Sequence, residues 1–147
     1  MLSGDWSSDV CSSDLIPTIQ KYMTTSPHSI GREQTLSKAH AMMREHGFRH
    51  LPVLEGGKLV GLVTMRDLHL IETLRDVDVD QVSVEDAMTS EVYAVAPSAP
   101  LDEVAAEMAE HKYGCTIVMQ NDHVVGMFTT VDACRALHDL LHGRLAK

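Results

Sequence analysis

Thr64 and Asp67, and again Thr129 and Asp132, stand three apart where an apolar run gives way to a more polar one. At the start of a helix this spacing serves two purposes. The Thr oxygen accepts from a backbone N–H of the first turn while the carboxylate reaches back to the Thr N–H, closing a capping box. The same helix end presents free amides and the positive end of a dipole to a phosphate or other anion. A carboxylate one turn in can accept from both hydroxyls of a ribose, and the Thr hydroxyl can reach ribose or phosphate. A nucleophile with its base and an orienting third group is not present at these positions. The expectation is a binding site with no catalytic residues, in a protein that is not an enzyme.

The two pairs belong to longer frames. Gly61-Leu62-Val63-Thr64-Met65-Arg66-Asp67 returns as Gly126-Met127-Phe128-Thr129-Thr130-Val131-Asp132, offset by 65 residues. The offset holds without a gap at Met23/Met88, Thr24/Thr89, Leu36/Leu101, Ala41/Ala106, Met43/Met108, Glu45/Glu110, His46/His111, Val53/Val118 and Val60/Val125. The chain is two copies of one unit, and a fixed internal period decides architecture before local propensity does. Each copy is too small to be comfortable alone, so the copies are expected to share one core.

The elements that must carry the pairs follow from pattern. In the first copy His28-Ser29-Ile30 reads as a short strand. Leu36, Ala39 and Met43 give an apolar face to a helix from about Thr35 to His46, stopped by Gly47. Leu51–Leu54 and Leu59–Val63 flank Gly56-Gly57 as a hairpin. A helix then starts near Thr64 and carries Leu68, Ile71 and Leu74. Ser83 caps a short helix through Met88. The second copy repeats the order: strand Tyr93–Val95, helix Leu101–His111, hairpin around Asn121-Asp122, helix from about Val131 to Leu141. The expected fold is α+β (mixed α/β), two β-α-β-β-α repeats at residues 18–74 and 83–140, with a linker at 75–82 and a tail at 141–147.

Residues 1–15 stand outside the repeat and have no helical or strand period. They read as the translation of a sequencing adapter fused to the open reading frame, the alternative being a disordered polar tail. Removing their three aspartates from a net charge of −9 leaves the remainder at −6. An acidic chain does not suit nucleic acid or an anionic membrane as its main partner. No apolar run approaches the roughly 20 residues of a membrane span. The expected location is the cytoplasm, with Cys115 and Cys134 as reduced thiols.

Several eye-catching residues have plain explanations. His46/His50 and His138/His142 are each four apart, a metal-binding spacing on a helix. Gly47 ends the first helix before His50, however, and the second pair is expected in a polar tail, so no metal site is assigned. Gly56-Gly57-Lys58 lacks the glycine spacing of a phosphate loop and is a turn. The nine methionines suit an adaptable core.

The sequence resembles tandem cystathionine-β-synthase (CBS) domains paired as a Bateman module. The matching stretches are Tyr22-Met23-Thr24, Arg49-His50-Leu51-Pro52-Val53, Gly57–Thr64 and Arg66-Asp67-Leu68. In the second copy they are Asp86-Ala87-Met88-Thr89, Lys112-Tyr113-Gly114 and Val125–Thr129 with Asp132. The resemblance spans residues 18 to 140. It implies a regulatory module that takes an adenosyl ligand (AMP, ADP, ATP or S-adenosylmethionine) in clefts between the copies and requires no cofactor. Carried over by position, it implies ligand contacts from His28, Ser29, Ile30, His50, Pro52, Thr64 and Asp67 in the first copy. In the second it implies Tyr93, Val95, Cys115, Ile117, Thr129 and Asp132. It also implies a homodimer through the helices after the motifs, where Leu68, Ile71, Leu74, Ala133, Ala136, Leu137 and Leu140 are apolar.

The copies differ in charge. Arg49, His50 and Arg66 of the first correspond to Gly114, Cys115 and Val131 of the second. Arginine can bind phosphate through two parallel hydrogen bonds. The expectation is that Thr64/Asp67 has the basic neighbours suited to phosphate, and that Thr129/Asp132 keeps a ribose-type pair. Two other functions fit the residues: a ligand-free dimeric module that binds an effector protein, and a regulatory fragment of a larger enzyme or transporter.

Overall fold

A computed structural model describes residues 16–145. The adapter-like segment and the last two residues lie outside the described residues. A 3-10 turn at Ile19–Lys21 precedes β1 (Thr24–Thr25), β2 (Ile30–Gly31), α1 (Leu36–His46), β3 (His50–Glu55), β4 (Lys58–Thr64) and α2 (Met65–Glu72). Then follow α3 (Val84–Ala87), β5 (Ala94–Val95), α4 (Leu101–His111), β6 (Cys115–Gln120), β7 (His123–Thr129) and α5 (Thr130–Leu145). The chain is a mixed α/β fold with two sheets, ordered β2-β3-β4 and β1-β7-β6-β5.

Each copy builds a parallel β-α-β step followed by an antiparallel hairpin: β2 beside β3 and β3 beside β4, then β5 beside β6 and β6 beside β7. The hairpin turns differ in chemistry. Gly56 and Gly57 take positive φ in the first, whereas Asn121 and Asp122 do so in the second, the residue types that tolerate the left-handed region. Thr35 caps α1 by accepting from the Lys38 N–H at 3.2 Å, and Gly47 ends it at φ 72°.

The copies exchange their opening segments. Thr24 and Thr25 of the first copy pair with Met127 and Gly126 of β7. At the counterpart position Thr89 of the second copy bridges Leu62 of β4, through two 2.8 Å backbone hydrogen bonds. The exchange extends upstream. Ile19 N–H donates to the Ala99 carbonyl and Val84 N–H to the Gln34 carbonyl, which are equivalent bonds under the 65-residue offset. Side chains follow suit. Val84 packs with Ile30, Leu36, Ala39, Met43, Leu51, Val53, Val63 and Leu68 of the first copy. Ile19 packs with Leu101, Val104, Met108, Val118, Phe128 and Ala136 of the second. A third cluster, Cys115, Ile117 and Met127 against Leu59 and Leu62, joins the two sheets. Neither half completes its core without the other, in keeping with the small size of each.

Some expectations move. The short strands begin at Ile30 and Ala94, because His28 and Tyr93 precede the parallel pairing. The helix after the second motif runs on to Leu145, so His138 and His142 stand on a helix with rings 5.7 Å apart, not in a tail.

Candidate functional site

Both motifs form the expected cap. At the start of α2, Asp67 Oδ2 accepts from the Thr64 N–H at 3.1 Å and hydroxyl at 2.9 Å, while Thr64 Oγ1 accepts from the Asp67 N–H at 3.2 Å. At the start of α5, Asp132 Oδ2 accepts from the Thr129 N–H at 3.0 Å and hydroxyl at 3.2 Å. The carboxylates then differ. Asp67 is half-buried. Asp132 is 4% exposed and takes two more donors: the Thr24 hydroxyl at 3.3 Å and Arg135 Nη1 at 2.8 Å.

Asp132 lies in a cleft of about 710 Å³. One wall is Thr129, Thr130, Val131, Asp132 and Arg135 of the second copy, with Met127 beneath. The other is Thr24–His28 and Gly47–His50 of the first. The exchange of β1 brings the two walls together, since it sets Thr24 beside Met127. The cleft therefore combines a helix N-terminus and a carboxylate from one copy with Arg49, His28 and His50 from the other. Arg49 and His50, two of the three basic residues expected beside Thr64/Asp67, line the Thr129/Asp132 cleft, while His50 also pairs with Thr64 across β3 and β4. The chain swap that brings Arg49 and His50 to Asp132 was not legible in the order of residues. His50 stands between the motifs: its imidazole lies against Gly114, where a Cβ would come within 3.0 Å of Nε2. Burial, then the charge of Arg49, holds its pKa below the usual histidine value, against an opposing pull from Asp67.

Stacked rings flank the approach. His28 lies on His46 at 4.0 Å between centroids and on Phe48 at 5.4 Å. In the second copy the counterpart Tyr113 stacks on both Tyr93, at 5.3 Å, and His111, at 5.1 Å. Burial, followed by Glu107 and Glu103, raises the Tyr93 phenol pKa.

Of the residues singled out in the sequence, His28, Arg49, His50, Thr129 and Asp132 line this one cleft. Thr64 and Asp67 sit at the other motif. Arg66 is exposed on α2 and does not line this cleft, where its counterpart Val131 does. Ile30 and Ile117 are core residues, Pro52 is buried, and Ser29, Tyr93 and Val95 are half-buried. Cys115 is buried and its thiol pKa is pushed up to about 12, so it offers packing and not a thiolate. Thr24, Ser26, Phe48 and Arg135 were not foreseen. Arg135, three residues past Asp132, was legible as a helical charge pair; Thr24 was recognisable only through the exchange. Gly61 and Gly126 make room for the exchange. A Cβ on Gly61 would lie 2.6 Å from Met88 Sδ and 2.8 Å from the Thr89 carbonyl, and Gly126 is crowded likewise by Met23.

Comparison with known proteins agrees with this architecture. The CBS domain model matches residues 19–70 and 84–139. The chain belongs to the CBS domain family, as a tandem pair. CBS domain-containing protein YhcV of Bacillus subtilis is 28% identical over 115 residues, 78% of this chain and 81% of that protein. Inosine-5'-monophosphate dehydrogenase of Korarchaeum cryptofilum is 33% identical over 115 residues, but the chain spans only 22% of its length. Among solved structures, AcuB of Vibrio cholerae superposes with a TM-score of 0.80 at 31% identity, covering 90% of this chain and 98% of that one. The CBS pair of MJ0100, in complex with 5'-methylthioadenosine and S-adenosyl-L-methionine, gives 0.76 at 24% identity, covering 84% and 98%. CBSX2 in complex with AMP gives 0.75 at 23%, covering 84% and 97%. No helix among the described residues is long and apolar enough to cross a membrane.

Proposed function

We propose that the chain is a non-catalytic regulatory module that binds a phosphorylated adenosine ligand, AMP, ADP or ATP, in the cleft of Thr129 and Asp132. One observation carries this reading. The ribose-type carboxylate and the N-terminus of α5 face Arg49, His50 and His28 across a single cleft, with Arg135 beside them. A ribose diol on Asp132 displaces the Thr24 hydroxyl, whose contacts there are long at 3.3 and 3.4 Å. The phosphate then meets helix amides and guanidinium groups. The likeness to proteins solved with AMP or S-adenosyl-L-methionine supports the ligand class. By the repeat register, the counterpart cleft sets Thr64, Arg66 and Asp67 opposite Tyr93, Tyr113 and Cys115. It is poorer in positive charge and better suited to an adenosyl group without phosphate, such as S-adenosylmethionine. The ligand acts on a target through unequal affinity for two arrangements of the module, in a cytoplasmic homodimer.

Calorimetric titration with AMP and with adenosine tests the reading. Arg49→Ala should weaken AMP about tenfold, the scale of one charge-assisted contact, and leave adenosine nearly unchanged. Equal loss of both, or of neither, sinks the phosphate assignment.

A second reading rests on a separate observation. Leu70 on α2, Leu74 just past its end, and Val131, Leu137 and Leu141 on α5 are exposed apolar residues, and a groove of about 880 Å³ runs beside α5. A ligand-free interaction module would use this face for a second copy or an effector protein. It predicts no thermal shift with any adenosyl ligand, whereas a true ligand at a hundred times its Kd adds about 2.7 kcal/mol.

A further inference from the structure

The helices of the first copy bring together three donor groups that lie far apart in sequence. His40 is on α1; His69 and Glu72 are on α2, three residues apart and so on one face. One donor atom from each lies within 4.8 Å of the other two. His40 Nδ1 is 2.9 Å from Glu72 Oε2, with side chains 22% and 30% exposed. The His69 ring meets the His40 ring edge-on, centroids 6.0 Å apart.

We propose that His40, His69 and Glu72 bind a divalent transition-metal ion of borderline softness, Zn²⁺ being the type, which clamps α1 to α2. Two imidazoles and a carboxylate are a donor set such ions accept, with water as the fourth ligand. Bonds of about 2.0–2.1 Å place tetrahedral ligands about 3.3 Å apart. Closing to that distance asks for rotation of the exposed His69 ring and the Glu72 side chain. Arg44 Nη2 lies 3.3 Å from His40 Nε2. When Nδ1 takes the ion, the imidazole proton resides on Nε2, and the exposed Arg44 turns to solvent.

The fold does not demand these residues. At the equivalent positions the second copy has Ala105, Cys134 and Leu137, with Ala109 in place of Arg44, and its helices still close over the same kind of core. The cluster is thus a property of the first copy alone. Its placement has a consequence, because α2 begins at Thr64 and Asp67. An ion on His69 and Glu72 would fix the helix whose first turn carries a motif.

The test uses the full chain, stripped with chelator and titrated with Co²⁺ and Zn²⁺. The expected result is one ion per chain, the visible spectrum of tetrahedral cobalt, and a rise in Tm with Zn²⁺. His69→Ala, at an exposed position, should keep the fold, lower metal affinity at least about tenfold and abolish the spectrum. Glu72→Gln should weaken binding in the same direction. His138→Ala, which breaks the other exposed histidine pair, should change nothing. No binding to the wild-type chain, or unchanged binding in His69→Ala, overturns the proposal.

Discussion

The hydroxyl of Thr24 donates to the carboxylate of Asp132 at 3.3 Å, across 108 residues of chain. It joins the opening of one copy to the motif of the other. Together with the Thr129 amide and hydroxyl and with Arg135, it gives Asp132 four donors where Asp67 has two. Truncating the two aspartates should therefore be unequal. Asp67→Ala removes a cap and should cost about 1 kcal/mol. Asp132→Ala also strands groups around a buried carboxylate and should cost about 2 kcal/mol, little of it from the exposed Arg135 pair. Denaturant midpoints of the two variants check the order; equal shifts would mean that Thr24 and the burial of Asp132 contribute nothing.

Gly61→Ala should destabilise by about 1–3 kcal/mol, the scale of overpacking. Its methyl would enter the space of Met88 and the Thr89 carbonyl and push apart the bridge between copies. Adding Met88→Ala should recover part of the loss, since the thioether is one of the two clashes. Thermal denaturation of the single and double variants reads this directly.

Thr116→Val should raise stability by about 1 kcal/mol. The Thr116 hydroxyl is buried in β6 with no hydrogen-bond partner among the described residues, and an unpaired buried polar group carries a desolvation cost. Valine keeps the branched shape and fills the site without a donor. A fall in Tm would show that the hydroxyl has a partner in solution.

His50 gives the stability a pH dependence of known sign. Its folded pKa lies below the unfolded value of about 6.5, so the unfolded chain binds more protons between the two. Stability from this group is fully present above about pH 6.5 and is lost as pH falls toward the folded pKa. His50→Gln should flatten the slope of stability between about pH 6.5 and 5 relative to the wild type. An identical slope in the variant would remove His50 as its source.

The repeat, the two capping boxes, the hairpins and the apolar helix faces were all legible in the sequence, because each rests on short-range spacing. Thr64 and Asp67 need only each other and a helix start. That Arg49 and Asp132 share a cleft was not legible. It depends on β1 crossing to β7, and nothing within either copy distinguishes a strand that pairs at home from one that pairs next door. The metal-donor trio was hidden for the same reason, as His40 meets His69 and Glu72 only where two helices cross.

The sequence by itself determined that this is a tandem CBS pair with two helix-start motifs, since a 65-residue register and a Thr-x-x-Asp cap are one-dimensional facts. Tertiary structure alone decided which side chains share a cleft. Each copy is too small to bury its own core, so Ile19 and Val84 each complete the other's. That exchange carries the opening segment of each copy across and sets the basic residues of the first copy in one cleft with the carboxylate of the second.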